Sequence, residues 1–308
     1  MSVTIQELEM PAARLLLAHD APRAQWLEAR QTGLGASDMS TIAGVNPYKS
    51  AYELWLDKTG RAPSKPPTRR MRMGNILEPV VREIFEEVTG LTVQPCGLLE
   101  SVDHPVFRCT PDGIIPAEGR GFEAKNTNWR NKDQWADGEV ADHAEIQAQA
   151  SMGVTGLSGW YAAAVIDGNP DDFHYQLVHR DQALIEALFE MGERFWRDHV
   201  IADVPPPITA LDLDVLKLIN ADVKRTAVER DANTVAEALA AYRAAGAAEK
   251  EAKARKDAAQ ARLIDLAGDA EEVTVGGVKQ FTYKQTTRKG YTVADTTYRT
   301  IYVPKVKA

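Results

Sequence analysis

The alternation of hydrophobic and polar positions divides the first two thirds of the chain into helical and extended segments. Apolar residues that recur every three to four positions predict helices, and short alternating or continuous apolar runs predict strands. The helices are predicted near residues 22–30, 37–44, 50–60, 74–89, 141–154 and 181–200. The strands are predicted near residues 91–100, 105–115, 121–126, 158–166 and 173–179. This interleaving predicts an α/β core in which helices flank a mixed central sheet.

The pattern changes after residue 204, where three consecutive prolines follow Val204. Proline cannot continue a helix or a central strand, so the run marks a connection between folded parts. We therefore predict a first domain over residues 1–204 and a second over residues 205–308.

The second domain is predicted to be a helical extension followed by a small β-sheet. Alanine, glutamate, lysine and arginine dominate residues 224–266, and Gly268 follows, which predicts one long helix or a helical hairpin. Its apolar stripe is thin and mostly alanine, which favours a close helix–helix contact over a deep core. Alternating residues at 273–275 and 278–284, joined by a glycine pair, and again at 298–303, predict the sheet.

Composition limits the kind of protein this is. The chain has 308 residues, of which 44% are hydrophobic and 26% charged, enough for one large domain and a smaller one. No apolar run approaches the roughly 20 residues that span a bilayer, and the start lacks a signal-peptide layout. We therefore expect a soluble, cytoplasmic protein without a membrane partner. Cys96 and Cys109 lack CxxC spacing, so neither a disulfide framework nor a zinc or iron–sulfur site is indicated.

Two carboxylates and an amine lie within a short stretch of predicted strands. Asp112 lies in a Thr-Pro-Asp-Gly sequence, and Glu123 and Lys125 share one face of the next strand. A hairpin between the strands would bring Asp112 across from them. Mg²⁺ prefers oxygen ligands, so Asp112, Glu123 and the backbone carbonyl of Ala124 form a candidate site for Mg²⁺ or, in its place, Mn²⁺.

In such a site Lys125 would orient the attacking water and offset developing charge, a chemistry that cleaves phosphodiesters. The alternative is an ordinary Asp-Gly turn and an exposed Glu-x-Lys pair on the surface, which the bare pattern leaves open.

Three other segments carry polar residues that suit the same cleft. Glu78 lies near the start of a predicted helix, where a glutamate is also favoured by the helix dipole alone. Gln147 and Gln149 lie on the helix predicted over 141–154. Arg30 precedes a glycine-bearing turn into a helix whose free N–H groups suit a phosphate, and Ser37 there is also a common N-cap residue.

The order of these motifs resembles the YqaJ-like viral recombinase family, which includes the lambda exonuclease and belongs to the PD-(D/E)-x-K nuclease superfamily. The resemblance covers roughly residues 22–200. The matching motifs are Arg30 with Ser37, Gly74-x-x-x-Glu78, Thr110-Pro111-Asp112-Gly113, Glu123-x-Lys125 and Gln147-x-Gln149.

The resemblance implies a PD-(D/E)-x-K nuclease core and an Mg²⁺-dependent exonuclease. Such an enzyme degrades one strand of linear duplex DNA from 5′ to 3′ and leaves a 3′ tail for a single-strand annealing partner in phage-type recombination. It also implies a homo-oligomer, by analogy a ring-shaped trimer, encoded by a phage or prophage and acting in the bacterial cytoplasm.

The same resemblance assigns roles to individual residues. Asp112 and Glu123 would ligate the metal, Lys125 would position water, and Glu78 would reach the metal through water. Gln149 would support the cluster, with Gln147 as the alternative.

The resemblance further implies that Arg30, Ser37 and Thr110 hold the 5′-terminal phosphate. Thr110 stands where the lambda enzyme has serine, which keeps the hydroxyl, adds a methyl group and leaves its phosphate contact open.

The net charge of the chain limits where DNA could bind. The net charge of −8 disfavours DNA binding by the whole surface, so a local basic region is needed. Arg69, Arg70 and Arg72, with Lys65, form either such a contact at the cleft mouth or a solvated loop.

The alternative functions are a structure- or sequence-specific endonuclease with the same site, and a noncatalytic DNA-end binding scaffold.

Overall fold

The chain divides into two compact units, Met1–Ile219 and Asn220–Ala308. The computed structural model describes residues 10, 12–63, 68–221, 227–287 and 290. The division falls downstream of the predicted boundary at residues 204 and 205, because the segment after the prolines is anchored in the first unit. There the hydroxyl of Ser50 donates a hydrogen bond to Asp212, and both residues are buried.

Helices and strands interleave through the first unit, and the predicted α/β core with flanking helices is confirmed. The helices are α1 (Arg23–Gln31), α2 (Ala36–Ile42), α3 (Ala51–Lys58), α4 (Arg69–Thr89), α5 (Asp142–Thr155), α6 (Gln182–Phe195) and α7 (Leu213–Ile219). The strands are β1 (Ala13–Leu17), β2 (Leu34–Gly35), β3 (Leu98–Ser101), β4 (Phe107–Cys109), β5 (Gly113–Ile115), β6 (Arg120–Thr127), β7 (Gly159–Ile166) and β8 (Asn169–His179). The sequence pattern predicts neither β1 nor the two-residue β2.

These strands form two four-stranded sheets, whereas the sequence pattern did not separate them. The first sheet has the order β1-β3-β4-β2, and the second has the order β5-β6-β7-β8. In the second sheet β6 and β7 are parallel, while β5 and β8 are antiparallel to their neighbours. A parallel pair needs a long crossover, and α5 lies within the connection from β6 to β7.

The strand predicted over residues 105–115 is divided between the two sheets. Phe107–Cys109 belongs to the first sheet and Gly113–Ile115 to the second, so the chain crosses over at Thr110, Pro111 and Asp112. Pro111 has no N–H for a strand ladder, which explains why the predicted strand is interrupted there. The predicted hairpin is confirmed downstream of the break, where Gly113–Ile115 pairs with β6.

Both faces of β7 are buried. Ala163 and Val165 pack with Val81 and Phe85 of α4 on one face of the second sheet. Trp160, Ala162 and Ala164 belong to the larger core on the other face, with Ala144 and Ala148 of α5. α5 also contacts β3 and β4, so it packs between the two sheets. The small alanine side chains permit this close approach of helix and strand.

Several boundaries differ from those predicted. α4 begins at Arg69 rather than near residue 74, because the Thr68 hydroxyl caps it by accepting a hydrogen bond from the N–H of Met71. Residues 69–72 therefore form the first turn of a helix and not a loop, while Lys65 lies outside the described residues. α6 ends at Phe195, and a π-helical turn, Trp196–Ile201, follows it.

The second unit contains one continuous helix and a small antiparallel sheet. Of the two predicted alternatives, one long helix or a helical hairpin, the described residues form one long helix, α8 (Ala232–Ala267). The strand β9 (Glu272–Val275) pairs with β10 (Val278–Thr282), as predicted. The strand predicted at 298–303 lies outside the described residues. Among the helices within the described ranges, none combines the length and apolar character needed to cross a bilayer.

Candidate active site

Asp112 lies at the crossover between the two sheets, beside the end of the β5–β6 ladder. The ladder stops at the pair Gly113 and Phe122, and the N–H of Ala124 donates instead to Oδ2 of Asp112 over 2.8 Å. The N–H and C=O of a strand residue point to the same side, so the Ala124 carbonyl also faces the Asp112 edge, away from β7. The side chain of Asp112 thus continues the pairing that the backbone has stopped making.

Glu123 and Lys125 project from the same face of β6, as predicted. Glu123 is buried, and its Oε1 accepts a hydrogen bond from Nζ of Lys125 at 2.5 Å. The same ammonium donates to Oε1 of Gln147 on α5 at 2.9 Å. The Lys125 side chain is 23% exposed, so it reaches solvent while its ammonium is held by two oxygen atoms.

Burial and neighbouring charges change the proton affinities of Asp112 and Lys125. Burial, followed by the neighbouring charge of Glu123, raises the pKa of Asp112 well above its usual value, although Lys125 and the Ala124 N–H act in the opposite direction. Burial disfavours the charged ammonium of Lys125, yet the Glu123 and Asp112 carboxylates outweigh that effect and raise its pKa. A proton or a cation beside Asp112 therefore relieves the repulsion from the Glu123 carboxylate, so a bound cation is stabilising at this edge.

Glu78 lies on α4 at the rim of the same cleft. Partial desolvation, and next the charge of Glu123, raises the pKa of Glu78, while the charges of Arg82 and Lys125 lower it. Its side chain nevertheless remains exposed. This rim position agrees with a carboxylate that acts through water, and Arg82, one helical turn further on, was not identified from the sequence.

The structure brings Gln147, and not Gln149, to the carboxylate cluster. Positions two apart on an α-helix point about 200° apart, so the two side chains leave α5 on different sides. Gln149 is buried and spans the connection between β8 and α6, where it donates to the carbonyl of His179 at 2.8 Å and accepts from the N–H of Asp181 at 2.9 Å. The assignment of Gln149 to the site is therefore corrected to Gln147.

The residues Asp112, Glu123, Lys125, Gln147 and Glu78 are together called the first centre. Arg30 and Ser37 form a second polar centre. Nη2 of Arg30 lies 2.8 Å from Oγ of Ser37, which accepts a hydrogen bond from it. The guanidinium also lies over the ring of Trp26, 5.1 Å from its centroid. The indole N–H of Trp26 in turn donates to Oγ1 of Thr110 at 3.2 Å. The three residues predicted to bind a terminal phosphate are thus brought together, with Trp26 connecting Thr110 to Arg30.

A buried ion pair lies behind this second centre. Asp38 receives hydrogen bonds from the N–H of Gly35 at 2.9 Å and from Arg30 at 3.3 Å, and Nζ of Lys58 lies 2.7 Å from its Oδ2. Lys58 also donates to the carbonyl of Arg30 at 2.9 Å. Burial alone would raise the pKa of Asp38, but the cations Arg30 and Lys58 hold it well below its usual value.

Sequence reasoning did not identify Asp38 and Lys58 as part of the site. Asp38 occupies the third position of α2, where it accepts from the Gly35 N–H, so its local spacing carried a signal of capping. Lys58 comes from α3, and nothing near it in the sequence indicates that its ammonium is buried. Burial lowers the pKa of Lys58, and Asp38 opposes that shift.

One cleft of about 590 Å³ joins the two centres. Its lining includes Arg30 and Ser37 of the second centre, and Asp112, Gln147 and Glu78 of the first. A ligand in this cleft can therefore contact the arginine–serine pair and the carboxylate edge together.

The donor set of the first centre fits a hard divalent cation. Within the described ranges no three His, Cys, Asp or Glu side chains are grouped so as to hold a metal on their own. Asp112, Glu123 and the Ala124 carbonyl supply oxygen atoms at one edge. Mg²⁺ is commonly bound by one or two carboxylates with water completing the shell, so this small oxygen set suits it.

The chain is similar to known proteins over part of its length. Residues 25–158 match the model of the YqaJ-like viral recombinase domain. The protein YqaJ of Bacillus subtilis strain 168 is 33% identical over 190 residues, which are 60% of this chain and span 59% of that protein's length.

Two solved structures are also similar. An alkaline exonuclease from Laribacter hongkongensis has 24% identity and a TM-score of 0.47, covering 59% of this chain and 94% of that one. A phage-related exonuclease from Haemophilus somnus 129PT has 13% identity and a TM-score of 0.40, covering 56% and 96%. The match over residues 25–158 contains Arg30, Ser37, Asp112, Glu123 and Lys125, so the candidate site lies in the part of the chain that is similar to the YqaJ-like viral recombinase domain.

Proposed function

We propose that this protein is a Mg²⁺-dependent exonuclease that degrades one strand of duplex DNA from a 5′ end. The observation that carries the proposal is the single cleft that is lined both by Arg30 with Ser37 and by Asp112 with Gln147. A nuclease that works from ends needs a site for the terminal phosphate and a site for the scissile one, and both must be open to the same strand.

The carboxylate edge has the parts that phosphodiester hydrolysis requires. Asp112, Glu123 and the Ala124 carbonyl would hold Mg²⁺, with Mn²⁺ as a substitute and Glu78 acting through water. When bound, the cation would stabilise negative charge on the attacked phosphate and make bound water more acidic. Lys125 would orient the nucleophilic water and offset charge in the transition state. The hydrogen bonds of its ammonium to Glu123 and Gln147 support this role.

The arginine–serine pair suits a terminal phosphate. The guanidinium of Arg30 is charged and forms strong hydrogen bonds to phosphate oxygens, and Ser37 adds a hydroxyl. A 5′-phosphate is dianionic for part of the time at neutral pH, whereas a 5′-hydroxyl gives Arg30 no charge to bind. The proposal therefore includes preference for 5′-phosphorylated ends and a 5′-to-3′ direction.

The product of this reaction would be a duplex with a 3′ single-stranded tail. Such a tail is the substrate of a single-strand annealing protein, which we propose as the partner in recombination of the phage type. A homo-oligomeric ring of nuclease units around the duplex would keep the enzyme on its substrate. A measurement of the native mass with and without DNA tests whether the protein forms such an oligomer.

The test is release of label from linear duplex DNA in the presence of Mg²⁺, with 5′-labelled, 3′-labelled and covalently closed circular substrates compared. Early release of the 5′ label with the circle intact supports the proposal. Early release of the 3′ label contradicts the direction, and cutting of the circle indicates an endonuclease. Binding of ends without release under Mg²⁺ or Mn²⁺ indicates a scaffold.

Two variants connect the result to the site. Asp112→Asn removes a proposed metal ligand and is expected to abolish release. Lys125→Ala is expected to keep DNA binding, measured by fluorescence anisotropy, while turnover falls by about 10²-fold or more, as for loss of one electrostatic stabiliser. Unchanged turnover in either variant would exclude this cleft as the nuclease site.

A further inference from the structure

Arg82 lies on the face of α4 that lines the cleft. Asn75, Glu78 and Arg82 all line the cleft, and the side chain of Arg82 is half-buried there. These positions are three and four residues apart, so they share one face of the helix. Val81 lies on a neighbouring face and packs into the core against the second sheet. The fold therefore directs the guanidinium of Arg82 towards the cleft, one helical turn from the Glu78 carboxylate.

The guanidinium of Arg82 has no carboxylate of its own. The arginines in the lining of the cleft are Arg23, Arg30, Arg82 and Arg108. Arg30 forms an ion pair with Asp38 at 3.3 Å, and Arg108 forms one with Glu100 at 3.0 Å. Arg82, in contrast, forms neither an ion pair nor a hydrogen bond with any residue that the structure describes. Its N–H donors are therefore available to a ligand of the cleft.

Arg82 lies beside the first centre and not the second. Partial burial and the charge of Glu123 raise the pKa of Glu78, whereas the charge of Arg82 lowers it, so Glu78 lies within electrostatic reach of both residues. Arg23, at the other end of the cleft, lies over the ring of Trp26, 4.1 Å from its centroid. Of these two arginines, Arg82 is therefore the one that adjoins the carboxylate edge.

Two roles are open to an unpaired arginine at this position. It could balance the charge of the carboxylates, or it could bind the phosphate that reaches them. An anionic phosphate is repelled by Asp112, Glu123 and Glu78, and a nearby guanidinium offsets this repulsion and can donate to two phosphate oxygens together. The lack of an ion pair between Glu78 and Arg82 favours the second role, because a counter-charge would be expected to contact its carboxylate.

We propose that Arg82 binds the DNA phosphate that lies at the carboxylate edge. The proposal rests on the proposed function in one respect, since that function makes this phosphate the scissile one. In an enzyme that removes one nucleotide at a time from a 5′ end, it belongs to the first internucleotide linkage. Arg30 and Arg82 would then bind successive phosphates of one strand, the terminal phosphate and the one that follows it.

The first test measures binding without turnover. The full chain is titrated against 5′-phosphorylated duplex DNA by fluorescence anisotropy, with Ca²⁺ in place of Mg²⁺ and with the intact DNA verified on a gel. A neutral methylphosphonate replaces either the first or the third internucleotide linkage of the 5′-ended strand. Arg82→Gln is expected to weaken binding of the unmodified duplex about tenfold or more, as for loss of a hydrogen bond between charged groups.

The modified duplexes locate the contact. We expect the loss in Arg82→Gln to persist with the third linkage neutral and to disappear with the first linkage neutral, because the charged partner of Arg82 is then absent. Equal binding of wild type and Arg82→Gln to the unmodified duplex overturns the proposal. A loss that is the same whichever linkage is neutral also overturns it.

Two further variants provide the controls. Arg82→Lys keeps the charge but not the planar fork of donors, so we expect an affinity between those of wild type and Arg82→Gln. Arg197→Gln removes an exposed arginine that pairs with Asp198 outside the cleft lining, and we expect unchanged binding. Arg82 would be only a counter-charge if Arg82→Gln lowered the Mg²⁺ concentration for half-maximal release and left DNA affinity unchanged, and that result overturns the proposal.

The contact of Arg82 and the exonuclease activity can fail separately. If wild type binds ends but releases no nucleotide, the proposed function is wrong, while the linkage-specific loss in Arg82→Gln still supports the phosphate contact. If release occurs, we expect Arg82→Gln to reduce kcat/KM about tenfold or more on 5′-phosphorylated and 5′-hydroxyl ends alike, because both contain the first linkage. A loss confined to 5′-phosphorylated ends would place Arg82 at the terminal phosphate and overturn the proposal.

Discussion

The ammonium of Lys125 donates a hydrogen bond of 2.9 Å to the side-chain oxygen of Gln147. Its other acceptor is Glu123 on the same strand, so Gln147 is the contact that holds the lysine from a second element, α5. A long flexible side chain that is held from two directions samples fewer orientations than one that is held from a single direction. Gln147 thus positions Lys125 relative to the carboxylates.

The first prediction compares Gln147 with Gln149. Gln147→Leu removes one acceptor of Lys125, so we expect kcat to fall about tenfold, equivalent to roughly 1.4 kcal/mol of barrier, with little change in melting temperature. Gln149→Leu leaves the His179 carbonyl and the Asp181 N–H without their buried partner, which costs about 1–3 kcal/mol of stability. We expect its melting temperature to fall by several degrees.

Release assays and thermal melts on the same preparations separate the two effects. Glu145→Leu, an exposed change of similar size on the same helix, is the control for substitution in α5. The assignment of Gln147 is wrong if Gln149→Leu reduces kcat more than Gln147→Leu does while both variants remain folded.

The proximity of Asp112, Glu123 and Lys125 could be predicted from the sequence because the geometry of these residues is local. Glu123 and Lys125 are two apart on one strand, and Asp112 joins them through a hairpin whose turn residues are visible in the sequence. Strand periodicity alone therefore places these side chains on one edge. The choice between Gln147 and Gln149 was not local, because it depends on how α5 is rotated against the two sheets.

The division of the strands into two sheets was less accessible. Pro111 signals an interruption, but an interruption alone does not indicate that the two halves belong to different sheets. The contribution of Lys58 was not accessible, since its partner Asp38 comes from another helix and the burial of both depends on tertiary packing. Hydrophobic periodicity predicts single helices and strands, but it does not predict which elements distant in the sequence contact one another.

The second prediction concerns the contribution of Arg30 to the proposed preference for 5′-phosphorylated DNA ends. We expect Arg30→Ala to reduce kcat/KM on 5′-phosphorylated duplexes about tenfold or more, and to have a small effect on 5′-hydroxyl ends, because a charge-assisted hydrogen bond is lost only where the phosphate is present. Paired substrates that differ only in the terminal group give the measurement. Arg197→Ala removes an exposed arginine paired with Asp198 and is the control for net charge. An equal loss on both kinds of end would exclude Arg30 as the phosphate anchor.

The third prediction concerns Gly121, which lies beneath a buried tryptophan. A Cβ at Gly121 would lie 2.1 Å from the ring of Trp160, whose side chain is fully buried on the paired strand β7. Gly121→Ala therefore forces the ring to shift, and we expect it to lower the free energy of unfolding by about 1–3 kcal/mol.

Gly74→Ala is the contrasting variant. Among the residues that the structure describes, no atom outside the adjacent backbone of α4 lies within 4 Å of the added Cβ, and we expect a stability gain of about 0.5–1 kcal/mol. Urea unfolding compares the two, and equal effects would show that the second sheet tolerates the added methyl group.

The fourth prediction concerns the buried pair of Asp38 and Lys58. Lys58→Met removes one of the two side chains that form ion pairs with Asp38 and leaves this buried carboxylate with its ion pair to Arg30. Breaking a buried pair on one side costs about 3–5 kcal/mol, whereas replacing both charges is far less destabilising. We therefore expect Lys58→Met to unfold at much lower urea than wild type, and Lys58→Met with Asp38→Asn to recover most of the loss.

The pH dependence of this pair follows from the direction of the Asp38 shift. Its pKa is lower in the folded chain than in the unfolded chain, so the unfolded state binds more protons as pH falls. The stabilisation from Asp38 is therefore complete above the unfolded pKa of about 3.9 and is lost as pH falls towards the folded value. The stability difference between wild type and the double variant should stay constant from pH 7 to 5 and narrow below pH 4. A difference that narrows instead between pH 7 and 5 would mean that a group other than Asp38 controls the pair.

Because Lys58 also donates to the Arg30 carbonyl, the double variant should reduce the preference for 5′-phosphorylated ends even where its stability is restored.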